Sequence, residues 1–144
     1  MFQTILKFLG IRVRSEADRE VADAMSQFTS RQRELQRVFL ERAAAAGKPR
    51  GLRWAGCEWT ESRRLLRERS SGLLTLVAGV NLKFEAIEGG DMEDVEAVRL
   101  IREASAVFHF QNGAWGTGGR VLFNLTPDLA AERLSESYLK VSLP

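Results

Sequence analysis

Residues 105–125, SAVFHFQNGAWGTGGRVLFNL, read as two strands folded back on each other about Asn112-Gly113. Asn-Gly between alternating segments is the strongest short-range hairpin signal, because both central residues of a type I′ turn need positive φ. Pairing outward from the turn sets Gln111 against Ala114, Phe110 against Trp115, His109 against Gly116, Phe108 against Thr117 and Val107 against Gly118. Strand side chains alternate with period two. Ala104, Ala106, Phe108, Phe110, Trp115, Val121, Phe123 and Leu125 therefore share one apolar face. His109 and Gln111 lie on the other with Gly116, Gly118, Arg120 and Asn124, which makes that face polar and shallow. The Gly118-Gly119 pair is the place for a bulge that shifts the later parity.

The same period runs upstream to Pro49. Residues 52–59 read as one strand, 62–69 as a second, and Ser70-Ser71-Gly72 as a turn into a long third strand over 74–86. In that third strand Leu74, Leu76, Ala78, Val80, Leu82, Phe84 and Ala86 alternate with more polar neighbours. Residues 88–100 form an acidic connection with a short helix expected at 92–98. Thr126-Pro127-Asp128 is a helix start, threonine as cap and proline at the first helical position. That helix is expected to run to about residue 137, with 138–144 as a last short strand.

Ahead of Pro49 the period is helical. Ser15 opens a helix with Glu16 and Asp18 in its first turn, and Ala46-Gly47-Lys48-Pro49 closes it. Met25, Phe28, Leu35 and Phe39, with Val21, form one stripe that Gln32 interrupts. At 1.5 Å per residue such a helix is roughly 45 Å long, against a radius of gyration of about 15 Å for a domain of this size. The expectation is a break near Thr29-Ser30, or a projecting helix that pairs with a second copy through Met25, Phe28, Leu35 and Phe39. Residues 1–14 are read as a separate N-terminal segment docked on a single domain of 15–144. In it Phe2, Ile5, Leu6 and Leu9 share one helical face, too small and too weakly basic for a membrane anchor.

One long helix followed by a strand meander with a single apolar face implies an α+β fold. The helix packs on a curved antiparallel sheet of four to five strands, and a short C-terminal helix follows. VFHFQNGAWGTGGRVLF resembles the terminal hairpin of the nuclear-transport-factor-2-like and cystatin-like superfamily, with its aromatic strand, Asn/Asp-Gly turn and following Trp. The resemblance covers about 20 residues and implies a cystatin/NTF2-like roll. The chain departs from the larger family in having one long starting helix and no Asp-His pair at recognisable spacing. Members include enzymes, ligand binders and dimerisation modules, so the likeness leaves function open.

Composition narrows the classes. The chain has 144 residues, 44% hydrophobic, and a net charge of +2, which suits one domain with a real core. Residues 1–72 hold 15 Lys/Arg against 9 Asp/Glu, whereas 73–144 hold 6 against 10. That asymmetry hints at a polar partner or self-association. Cys57 is the single cysteine and His109 the single histidine, so no disulfide framework and no soft metal cluster is expected. No metal or other cofactor is called for, and a reducing, cytoplasmic setting is the expectation. No apolar run has the length of a membrane span, and MFQTILKFLGIRVR, with Lys7 inside its apolar stretch, lacks a signal-peptide pattern.

Each chemical candidate stands beside a plainer reading. His109 titrates near neutrality and faces Gly116, but a general base needs a partner and a concavity that the sequence does not display. Cys57 lies between Trp54 and Trp59 and is read as an inert packing residue. The acidic run from Glu85 to Glu96 lacks calcium-loop spacing. Arg53, Arg63, Arg64, Arg67 and Arg69 form the best basic group, yet the low net charge argues against a nucleic-acid partner. The glycines from Gly113 to Gly119 mimic a phosphate loop but open no helix.

The expected function is a non-catalytic domain that works by association, as a homodimer through the exposed sheet face or long helix, or with another protein. The alternative is a small ligand bound in a helix–sheet pocket by Trp54, Phe108, Phe110 and Trp115. An NTF2-like enzyme using His109 comes third.

Overall fold

A computed structural model describes residues 15–47, 49–95 and 101–144. The N-terminal segment 1–14 lies outside the described residues, as do residues 96–98 of the helix expected at 92–98; the described part of that helix is not helical, residues 91–94 forming turns.

Helix α1 (Glu16–Ala45) starts at Ser15, whose hydroxyl accepts from the Asp18 N–H at 3.1 Å, and ends before Gly47 at φ 68°. It is unbroken. Thr29 and Ser30, the expected break, turn their hydroxyls back onto the Met25 and Gln27 carbonyls, each at 3.0 Å, and so stay within the helical ladder. Nor does the helix project. Val21, Met25, Phe28, Leu35, Phe39 and Ala43 are all buried against this chain's own sheet. The length argument failed because the sheet is as long as the helix: β1 (Leu52–Glu68) has 17 residues, about 56 Å at 3.3 Å per residue.

The sheet is antiparallel and curved, with six strands and a short C-terminal helix, an α+β architecture. Beside β1 lie β2 (Leu74–Ala86), β3 (Arg102–Gln111), β4 (Ala114–Gly116), β5 (Val121–Phe123) and β6 (Tyr138–Val141). The order is β4-β3-β2-β1-β6, with β5 also on the outer side of β3. The two strands expected at 52–59 and 62–69 are one. Between Trp59 and Arg63 its register slips, so that Thr60, Glu61 and Ser62 face the single residue Gly79 of β2. Gly79 permits this, since a Cβ there would collide with Thr60 Oγ1.

The hairpin turns as expected, with Asn112 at φ 52° and Gly113 at φ 75°. Gln111–Ala114, Phe110–Trp115 and His109–Gly116 are the observed pairs. The pairs drawn for Phe108 and Val107 do not form. Thr117 Oγ1 donates to the Val107 carbonyl at 2.8 Å and accepts from the Gly119 N–H at 3.0 Å. The ladder resumes with Ala106 opposite Val121, two residues late. A slip of two preserves parity, so Val121 and Phe123 stay on the α1 side. Leu125 does not: Asn124 takes φ 62° and swings it to the other face, where its carbonyl accepts from Ser105 Oγ at 2.8 Å.

That other face is not uniformly polar. Helix α2 (Pro127–Arg133), capped by Thr126, covers Leu66, Val77 and Val107 with Ala130 and Ala131, and Leu122 and Leu125 join them. It ends sooner than expected so that the chain can turn into β6, which pairs with residues 65–68 of β1.

Candidate functional site

The break between β4 and β5 creates the site. Gly119 sits at φ 81°, and a Cβ on it would stand 2.5 Å from the Ala43 amide nitrogen and 2.7 Å from the Arg42 carbonyl carbon. The bulge therefore rests directly on the last turns of α1. Arg42 Nη1 donates to the Thr117 carbonyl at 2.6 Å, and farther along the helix Trp115 Nε1 donates to the Ala24 carbonyl at 2.6 Å. These bonds fasten helix and hairpin edge together while a cavity of about 390 Å³ remains beyond the bulge. Ala43 and Ala46 of the helix end, Trp54, Val121 and Phe123 form its apolar walls. Gly118, Gly119, His109 and Arg120 complete the lining.

His109 belongs to a polar row on the sheet. Its Nδ1 lies 3.1 Å from Thr75 Oγ1, directly across the β2–β3 ladder. Burial, then the Arg120 charge, hold the imidazole below its ordinary value, with Glu68 opposing. Tyr138 OH donates to Glu68 Oε2 at 3.3 Å. Burial foremost, then the Glu68 charge, push the phenol up. The exposed Glu68 carboxyl is held down chiefly by the Ser71 hydroxyl, which donates at 2.7 Å. The row thus presents a neutral imidazole at pH 7, capable of accepting a proton or a hydrogen bond.

A second, smaller cleft of about 320 Å³ lies midway along α1, where Gln32 and Gln36 face the β1 slip at Thr60–Arg63 over Phe28, Trp59 and Ala78. Gln32 is thus the gap in the helix stripe opposite the irregularity in the strand.

The residues proposed from sequence separate into three groups. Trp54 and His109 meet at the larger cavity. Phe108 and Trp115 are buried in the core, 0% and 3% exposed, with Phe110 packed at its margin. Met25, Phe28, Leu35 and Phe39 are buried between helix and sheet; the Phe28 ring meets Phe108 and Trp115 edge to face at 5.3 and 5.4 Å. Sequence reasoning passed over Thr75, Tyr138, Arg120, Val121 and Phe123 as site residues. Only the Gly118-Gly119 pair signalled where the last three would gather.

The remaining chemistry is quiet. Burial pushes the Cys57 thiol up to about 11, so it is a thiol rather than a nucleophilic thiolate at neutral pH. The basic group is dispersed into internal contacts: Arg53 with Glu85, Arg64 with Asp128, Arg67 with Glu20, and Arg69 with the Ser135 carbonyl. Among the described residues no His, Cys, Asp and Glu side chains cluster so as to hold a metal ion, and no helix is long and apolar enough to cross a membrane.

No protein-family model, no curated protein and no solved structure matches the chain.

Proposed function

We propose that this chain is a small-molecule binding domain, and that its site is the cavity where the end of α1 meets β5 and the hairpin bulge. The observation that carries the reading is the composition of that cavity. It is about 390 Å³, walled by Trp54, Val121, Phe123 and two alanines, with Gly118, Gly119, His109 and Arg120 completing the lining. Ligand sites are concave, mostly apolar and provided with a few polar groups that orient the ligand, and this volume falls in their range of about 300–1,000 Å³. The ligand class that fits has a compact, largely apolar body with one polar end.

Tryptophan emission tests it, because Trp54 forms a wall. Titration with a library of small aromatic and aliphatic acids, alcohols and amides should give saturable changes for some members. Ala46→Phe should abolish those changes by filling the cavity from an exposed helix-end position. No saturable change across the library, or changes that Ala46→Phe leaves intact, would remove this site from consideration.

Association between copies is the second reading, and the burial of the helix stripe directs it away from Met25, Phe28, Leu35 and Phe39. Catalysis through His109 is the third, and the Thr75 contact gives the imidazole an orienting partner.

A further inference from the structure

The basic group of residues 53–69 is tied into the fold with one exception. Arg53, Arg64, Arg67 and Arg69 each hold a carboxylate or a carbonyl, whereas the Arg63 side chain makes no hydrogen bond and no ion pair among the described residues. Residues paired across an antiparallel ladder share a face, and Arg63 pairs with Ala78, part of the core beneath α1. Arg63 therefore leaves the sheet toward the helix, as Arg67 does opposite Leu74. The helix answers the two differently. Glu20 meets Arg67 at 2.9 Å, but the polar residues that α1 brings to the cleft beside Arg63 are Gln32 and Gln36, whose carboxamides make no hydrogen bond among the described residues.

A guanidinium on the core side of a sheet is tolerated only where it keeps water or a partner. Arg63 is partly exposed, and no fully buried side-chain nitrogen or oxygen among the described residues lacks a partner. The β1 slip supplies the room. It inserts two extra residues between the core-facing positions Trp59 and Arg63 without changing their parity, and the cleft of about 320 Å³ opens at that widened step. Phe28, Trp59 and Ala78 are its apolar floor.

We propose that this cleft is a second ligand site, one for a small carboxylate whose apolar body rests on that floor. A guanidinium is a planar fork that a carboxylate matches with two parallel hydrogen bonds, and each glutamine adds N–H donors. Glu61, also in the lining, disfavours a multiply charged anion such as phosphate. The cleft shares no lining residue with the cavity at the end of α1, so this site stands or falls independently of that one.

NMR titration with benzoate and hexanoate tests the proposal, with benzamide and inorganic phosphate as comparators. The Arg63 Nε–H and the Gln32 and Gln36 carboxamide resonances should shift saturably with at least one of the two carboxylates, and benzamide and phosphate should bind more weakly. Arg63→Gln removes no internal contact, so the chain should fold and its affinity should fall at least about tenfold, as for loss of a hydrogen-bonded charge. Gln36→Glu keeps the arginine and gives it a carboxylate from within, so it should exclude the probe as well. Folded Ala46→Phe, which fills the other cavity, should leave these shifts intact. No saturable shift with either carboxylate, equal binding of benzamide or phosphate, an affinity unchanged by Arg63→Gln or by Gln36→Glu, or loss of the shifts in folded Ala46→Phe would each overturn the site.

Discussion

Replacing Gly119 with alanine should destabilise the fold severely, and the size of the effect follows from two separate contacts with the structure. The residue adopts φ 81°, where an L side chain crowds its own carbonyl, at about 1–2 kcal/mol. The new methyl would also stand 2.5 Å from the Ala43 nitrogen and 2.7 Å from the Arg42 carbonyl carbon. Those are helix backbone atoms, held by their own hydrogen bonds, so they cannot rotate aside as a side chain would. Overpacking of this kind costs about 1–3 kcal/mol. Together the two predict a loss of about 2–5 kcal/mol, a fall in melting temperature of roughly 5–15 °C for a domain of this size. Gly118→Ala is the internal control, since a Cβ there meets nothing within 4 Å, and it should stay within about 0.5 kcal/mol of wild type. Urea denaturation of both variants, followed by circular dichroism, measures the difference. If Gly119→Ala melts within error of Gly118→Ala, the bulge does not rest on α1 and the cavity walls are wrongly assigned.

Three further outcomes are expected. Phe39→Ala, which removes a fully buried ring lying 5.4 Å from Trp59 and 5.9 Å from Phe108, should cost about 3–5 kcal/mol; a loss under 1 kcal/mol in denaturant titration would contradict the core described. His109, held below its ordinary value chiefly by burial, binds its proton more readily in the unfolded chain, so the stability it contributes at neutral pH should be lost as pH falls through about 6.5. His109→Gln should flatten that slope in melts between about pH 7.5 and about pH 5, and an unchanged slope would show that the imidazole is not desolvated. Cys57, pushed up to about 11 by burial, should react slowly with a thiol reagent in the native protein at pH 7 and faster on unfolding. Equal rates in the two states would refute its burial.

The parts of this fold that were legible in sequence rest on local chemistry. Ser15 and Thr126 cap the helices they were expected to cap, and Asn112-Gly113 turns the hairpin, because a side-chain acceptor or a positive φ is decided within a few residues. What sequence concealed is decided by distant partners. Thr60–Ser62 reads as a gap between strands until Gly79 of β2 is placed beneath it. Leu125 reads as core on the α1 side until Asn124 reverses the chain. The polar row was hidden for the same reason: Glu68, Thr75, His109 and Tyr138 come from four strands, and only the β6–β1–β2–β3 register brings them together. Of the four aromatics proposed for a pocket, Trp54 lines the cavity while Phe108 and Trp115 fill the core. Periodicity identifies a face but not where helix and sheet part company.

Native mass spectrometry of the gently purified chain tests the ligand-binding account most directly, because it weighs whatever the cavity holds. The account predicts a stoichiometric adduct of small-molecule mass on each chain, dissociable on activation and absent from Ala46→Phe. A bare chain mass in wild type, with small acids, alcohols and amides added in excess and none retained, would contradict it.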